Sequence, residues 1–306
     1  MNYKEEILRL KKEKNAVILC HNYVAVDVQE ISDFLGDSYG LSVKAKEVRS
    51  DIIVFAGVRF MAETAKILNP SSKVILSNIE AGCPMADMVT AEDVIGEKEK
   101  YDGGLYVATY VNSTAEVKAE SDVCLTSGNA LKVINNIPQK EKNILFVPDR
   151  NLGAYIQKIS GRKLILWDGY CCAHDNLEVN KLEDIRKKDP EAVIIVHPEC
   201  RLDVIEKADE AMSTAGMVDF VKENQDKSIY LGTEPGIVDR LLNEGFKVSP
   251  VDDNMICKNM KKTTLEDIYL DLKEERNRIE LADDVMKKAR LSLEKMIEFT
   301  ELDKQN

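Results

Sequence analysis

The 306-residue chain holds three histidines, His21, His174 and His197, and no two of its seven cysteines form a CxxC pair. An odd number of scattered cysteines does not make a secreted disulfide framework, so in a reducing compartment they are buried hydrophobes, nucleophiles or metal ligands. No apolar run reaches transmembrane length, and Met1-Asn2-Tyr3-Lys4-Glu5 is not a secretory leader. A cytoplasmic location is expected. Positive charge is also short: 42 Lys and Arg against 54 Asp and Glu leave a formal charge of −12. That argues against a nucleic-acid or anionic-membrane surface, though not against a small anion held by backbone amides at helix starts. Neither a P-loop, a GxGxxG turn nor a serine-hydrolase elbow is present, so nucleotide binding and serine hydrolysis are not expected. Low-complexity segments and long linkers are missing too.

What is present is a repeat. With 44% hydrophobic residues the chain can bury a sizeable core, and its apolar β-branched runs end abruptly in polar groups. Ala192 to Val196 runs into His197-Pro198-Glu199, Ala16 to Cys20 into His21-Asn22-Tyr23, and Leu105 to Thr109 into Tyr110-Val111-Asn112. This is the pattern of buried parallel strands delivering chemistry at their carboxyl ends. His21, Tyr110 and His197 fall 89 and 87 residues apart, as do Tyr23, Asn112 and Glu199. Ser38, Ser127 and Thr214, each in a turn, keep the same two separations, and Cys83, Cys171 and Cys257 follow at 88 and 86.

Four matched offsets argue for three copies of one unit. The expected fold is α/β: three pseudo-threefold-related αβα domains, each with a small parallel sheet, sharing one central active site. The boundaries are 1–84 with C-terminal helices 264–306, then 85–172, then 173–263. In the first unit the spacing predicts a helix over Val28–Leu35 capped by Asp27, another over Ser42–Arg49, and a strand over Asp51–Ala56. In the second, strands are expected at Leu105–Thr109, Val123–Thr126, Asn143–Val147 and Lys163–Trp167. In the third they are expected at Ala192–Val196, near Met217–Phe220, at Ser228–Gly232 and at Phe246–Val251.

Three cysteines at equivalent ends of three repeats could hold zinc, copper(I) or an iron–sulfur centre, leaving one coordination position open. Cys172 adjoins Cys171, and the repeat register selects Cys171. Cys20, Cys124 and Cys200 sit in or beside apolar strands, as structural thiols do. A lone histidine at a strand end is usually a satisfied core residue. The shared register of His21 and His197 with Tyr110 places them at the site instead, and Tyr23 and Glu199 add groups able to move protons. Asn112 can orient a ligand. Ser38, Ser127 and Thr214 read either as helix caps or as seats for carboxylate and phosphate.

These residues fall in motifs that resemble the quinolinate synthase (NadA) family, in order and over nearly the whole chain. They include His21-Asn22-Tyr23, Gly36-Asp37-Ser38, Gly57 to Lys66, Ala81-Gly82-Cys83-Pro84 and Tyr110-Val111-Asn112. Thr126-Ser127-Gly128-Asn129, Gly169-Tyr170-Cys171-Cys172-Ala173-His174, His197-Pro198-Glu199-Cys200, Ser213-Thr214-Ala215-Gly216 and Cys257 to Lys262 complete the set. The resemblance implies a [4Fe–4S] cluster on Cys83, Cys171 and Cys257. It implies condensation of iminoaspartate (iminosuccinate) with dihydroxyacetone phosphate to quinolinate in NAD biosynthesis, the iminoaspartate supplied by an aspartate oxidase or dehydrogenase. Substrate contacts would fall on His21, Ser38, Tyr110, Asn112, Ser127, His197, Glu199 and Thr214, and proton transfers on Tyr23, His21, His197 and Glu199. The resemblance also implies that an open iron acts as a Lewis acid. The competing readings are an iron–sulfur redox sensor or carrier, which needs no such convergence of polar groups, and another three-cysteine iron–sulfur hydro-lyase.

Overall fold

The structure, a computed structural model, describes residues 2–141 and 143–302. The first sheet is built from β1 (Ala16–His21), β2 (Phe34–Gly36), β3 (Ile52–Ala56) and β4 (Lys73–Leu76). The second has β5 (Leu105–Tyr110), β6 (Val123–Leu125), β7 (Asn143–Val147) and β8 (Ile165–Leu166). The third has β9 (Val193–Val196), β10 (Glu210–Ala211), β11 (Ile229–Gly232) and β12 (Ser249–Pro250). Their orders are β2-β1-β3-β4, β6-β5-β7-β8 and β10-β9-β11-β12, the same order three times. Every pairing within them is parallel. The predicted α/β architecture of three small parallel sheets flanked by helices is therefore what the chain adopts.

Helices on both faces explain why the inner strands are apolar without alternation. All five residues of β3 and all six of β5 are buried. Parallel pairing puts the carboxyl ends of the strands of each sheet at one edge, where polar residues begin after β1, β5 and β9.

A side-chain device repeats with the sheets. Asp33, Asp122 and Asp209 each precede the short edge strand of their unit. Each carboxylate accepts the backbone N–H of a residue in the neighbouring strand, from Ile18, Val107 and Ile194 respectively, at 2.7 Å every time. Each aspartate also returns its own N–H to the carbonyl of that same residue. An edge strand of two or three residues offers few ladder bonds, and the carboxylate satisfies an N–H that would otherwise be orphaned inside the sheet.

Two element expectations are corrected. The Val28–Leu35 helix is instead a short helix, Val26–Gln29, followed by β2, and its N-cap is Ala25 rather than Asp27. Asp33 is the reason: bonded to Ile18, it turns the chain alongside β1. The strand near Met217–Phe220 is helix, part of Thr214–Glu223. Ser213 caps it by accepting the Gly216 N–H, and Met217, Val218 and Val221 form its buried face. A short apolar run does not distinguish strand from helix by itself; β10, the true edge strand, is two residues long and leaves almost no pattern.

The C-terminal stretch forms helices Leu265–Glu274 and Asp283–Glu301. Between them Glu275 and Asn277 take left-handed backbone conformations, with φ of 52° and 55°. The first of these helices packs on helix Tyr3–Glu13. The second lies against helix Ala115–Ala119 and β6, in the second unit. Residues 303–306 of the expected C-terminal helices lie outside the described residues. No helix among the described residues is long and apolar enough to cross a membrane.

Candidate active site

The carboxyl edges of the three sheets face one cavity of about 780 Å³, counting the space at its mouth that is open to solvent. Every residue singled out by the repeat lines it: His21, Tyr23, Ser38 and Cys83 from the first unit, Tyr110, Asn112, Ser127 and Cys171 from the second, and His197, Glu199, Thr214 and Cys257 from the third. The three hydroxyl-bearing turns meet one another directly. A Cβ added at Gly128 would lie 3.2 Å from Ser213 Oγ and 3.7 Å from Asp37 Oδ2. A larger residue at 128 would push the turns apart.

For two of those hydroxyls the helix cap stands one residue earlier. Asp37 caps helix Ser38–Glu47, accepting the Gly40 N–H at 2.8 Å, and Ser213 does the same for Gly216 at 3.3 Å. Ser38 and Thr214 are thus the first helical residues, not the caps, and their hydroxyls belong to the cavity wall. Both sit where the helix dipole favours an anion.

The two register-matched histidines are held alike. The Nδ1 of His21 accepts the Tyr23 N–H at 3.2 Å, and the Nδ1 of His197 accepts the Glu199 N–H at 3.3 Å. A ring nitrogen that accepts a backbone N–H carries no proton, so the neutral ring holds its proton on Nε2. Burial lowers His21 to about 4 and His197 to about 3. Both are neutral at physiological pH.

Around them runs a chain of hydrogen bonds through all three units. Tyr110 donates its hydroxyl to Glu199 Oε1 at 2.5 Å, and Glu199 Oε2 lies 2.8 Å from His174 Nδ1. His174 Nε2 is 2.9 Å from Thr233 Oγ1, which is 2.6 Å from the Tyr23 hydroxyl. The His174 ring also stacks on His197, with centroids 4.6 Å apart. Burial opposes the charge of Glu199, but the imidazoles of His197 and His174 and the Tyr110 hydroxyl hold it below the usual carboxylate range. Burial, then the nearby Glu199, raises both Tyr23 and Tyr110 well above 10, so both phenols keep their protons.

Cys83, Cys171 and Cys257 are each partly buried, Cys172 is exposed, Cys20 and Cys124 are buried in β1 and β6, and Cys200 is buried in the bend after β9. Burial pushes Cys83 up to about 12 and raises Cys171 and Cys257, with Glu199 adding to the rise at Cys171. A cation beside them is what would favour the thiolates. Among the described residues, the trio whose donor atoms all lie within 4.8 Å of one another is Cys171, His174 and Glu199. The three cysteines form no such trio although they line one cavity.

Sequence reasoning left several groups in and around the cavity unassigned, Glu234 of its wall among them. His174 is one of three histidines in the chain, yet it has no counterpart at the repeat spacing. Asp37 stood beside a chosen serine. Thr233 follows a predicted strand, and nothing in the sequence distinguishes it from any buried threonine.

The family model described as Quinolinate synthetase A protein (NadA) matches residues 5–298. Among curated proteins, the chain is 45% identical over 299 residues to a quinolinate synthase of Caldicellulosiruptor bescii, covering 97% of this chain and 98% of that one. It is 45% identical over 296 residues to a quinolinate synthase of Geobacter metallireducens, covering 96% of each. To one of Pyrobaculum aerophilum it is 44% identical over 306 residues, covering 97% and 99%.

Proposed function

The chain belongs to the quinolinate synthetase A family, and from that premise we propose that it condenses iminoaspartate with dihydroxyacetone phosphate to quinolinate, releasing phosphate and water. The iminoaspartate would come from an aspartate oxidase or dehydrogenase. The observation that carries this reading is the convergence of twelve repeat-matched side chains from three sheets on one cavity.

The proposal assigns Cys83, Cys171 and Cys257 to a [4Fe–4S] cluster. A single zinc at about 2.3 Å from each sulfur would draw the thiols to roughly 3.8 Å from one another. Thiols that share a cavity without coming together as a trio fit a group several ångströms across better than one ion. Bound there with one iron open, the cluster would supply a Lewis acid for a substrate oxygen.

The rest is the work of this chain's side chains. Ser38 and Thr214, at helix starts, hold carboxylate or phosphate, with Ser127 from the middle unit as the third hydroxyl. His21 and His197 offer Nε2–H donors to substrate oxygens. Asn112 Oδ1 is buried with no partner, as befits an amide that completes its bonding on a ligand. Tyr110 orients on Glu199 and closes the wall. Proton transfers during isomerisation and ring closure fall to Tyr23, His21, His197 and Glu199. Tyr23, protonated and bonded at its hydroxyl, serves as acid, and ionised Glu199 as base.

The test is an anaerobic assay with both substrates on iron-reconstituted protein. Quinolinate should form, and Tyr23→Phe should cut turnover by roughly 10²-fold or more while iron content stays the same. Iron-loaded protein that makes no quinolinate would contradict the proposal.

A further inference from the structure

We propose that Asn129 is the positioning residue for the Ser127 hydroxyl, and that Thr300 of the C-terminal helix holds Asn129 in place. The inference rests on the proposed function, in which Ser127 is one of three hydroxyls that hold the anionic groups of the substrate.

In the second unit the repeat keeps its spacing but reverses its hydrogen bonding. Asp37, Thr126 and Ser213 fall 89 and 87 residues apart, and so do Gly40, Asn129 and Gly216. In the first and third units the side chain of Asp37 or Ser213 accepts the N–H of the glycine, capping the helix that carries Ser38 or Thr214. In the second unit the glycine is replaced by Asn129, whose side chain makes no cap bond to helix Ala130–Asn136. It turns back instead. Asn129 Oδ1 accepts the Thr126 N–H at 2.6 Å and the Thr126 hydroxyl at 3.1 Å. The Asn129 N–H donates to the Thr126 carbonyl at 3.2 Å, so Ser127 and Gly128 are the middle residues of a turn closed twice over.

The anchor for that turn lies outside the repeat. Asn129 is 3% exposed, and its Nδ2 donates to Thr300 Oγ1 at 2.9 Å. Thr300 lies buried in the last turn of helix Asp283–Glu301, and its own proton goes to the Met296 carbonyl at 2.7 Å. A hydroxyl whose proton is already donated one turn back can only accept from Asn129. This fixes which way the amide faces. Flipped, it would set its donor against the Thr126 N–H and its acceptor against a lone pair of Thr300. At the far end of the same short helix, Asn136 Nδ2 donates to the Phe299 carbonyl at 3.1 Å. Helix Ala130–Asn136 is thus bonded to the C-terminal helix at both ends. Thr126 and Ser127 line the cavity, whereas Asn129 and Thr300 stand behind them and act through the turn.

Titration of quinolinate into anaerobically reconstituted protein tests this, with urea midpoints measured on the same samples. Thr300→Val keeps the shape, removes the acceptor, and should weaken quinolinate binding by roughly 5- to 10-fold, the scale of one buried hydrogen bond. Thr300→Ser should bind within about twofold of wild type, because the acceptor returns. In the Ser127→Ala background, Thr300→Val should weaken binding no further, since the hydroxyl that it serves is gone. In turnover with both substrates, Thr300→Val should raise KM more than it lowers kcat, the mark of a group that holds rather than reacts. A merely structural Thr300 would lower the urea midpoint and leave quinolinate affinity at the wild-type value, and that result overturns the proposal. Equal losses of affinity in both backgrounds overturn it too. If Thr300→Val does not fold, Thr300→Ala takes its place in the same cycle. Wild type separates the two readings. Wild type that makes no quinolinate contradicts the proposed function, whereas wild type that makes and binds it no more tightly than Thr300→Val does overturns the role of Asn129 and Thr300 alone.

Discussion

At the scale of single residues, His21 and His197 decide the electrostatics of the cavity. Each spends its Nδ1 on a backbone N–H two residues on, and burial removes the charge that free imidazoles take below pH 6.5. The sign of the stability effect follows from proton counting. Between the folded values, about 4 and about 3, and the unfolded value near 6.5, the unfolded chain binds more protons. Stability therefore is fully present above about 6.5 and falls as pH drops toward the folded values. Urea midpoints should decrease from pH 7 to pH 5, and His21→Gln should flatten that slope. An unchanged slope in His21→Gln would mean that His21 titrates normally. These two histidines were legible from spacing alone, because the strand-to-turn segments repeat at a fixed interval. Thr233 was not, since its hydrogen bond to Tyr23 joins residues 210 apart in sequence.

At the scale of elements, the hydroxyl turns show how near a sequence reading can come and still leave a choice open. A serine at a helix start caps it or faces outward, and the repeat could not say which. The structure puts the cap on Asp37 and Ser213, one position before Ser38 and Thr214. The two jobs should separate by substitution. Asp37→Ala should cost about 1 kcal/mol of stability, the usual price of an N-cap. Ser38→Ala should leave the melting temperature near wild type but reduce the stabilisation given by a pyridine dicarboxylate, losing roughly 10-fold or more in affinity. Thermal melts with and without the dianion check both. A Ser38→Ala protein with the full ligand-induced shift would remove Ser38 from the binding wall. The misread elements, β2 and the helix Thr214–Glu223, share a cause. Short edge strands carry too few residues for a period, and the carboxylates of Asp33, Asp122 and Asp209 do the pairing that length does elsewhere.

At the scale of the whole molecule, three units of one topology each contribute a strand end, a hydroxyl turn and a cysteine to a common centre. Strand order β2-β1-β3-β4 recurs in each, so the repeat arithmetic is a statement about equivalent positions in three sheets. That is why so much of the candidate site could be read before any contact was known. Where the units depart from symmetry, the sequence was silent: His174, Thr233, Glu234 and Lys261 all belong to the third unit and have no counterparts at the repeat spacing. The C-terminal helix Asp283–Glu301 adds a further asymmetry by packing on the second unit.

The central claim is that one cysteine from each unit holds a single multi-iron centre in the shared cavity. Counting iron per chain after anaerobic reconstitution tests it most directly. Wild type and Cys172→Ala should each bind about four irons, while Cys83→Ala, Cys171→Ala and Cys257→Ala should each lose them. If Cys172→Ala loses the iron while Cys171→Ala keeps it, or if all four variants retain the wild-type count, the account is contradicted.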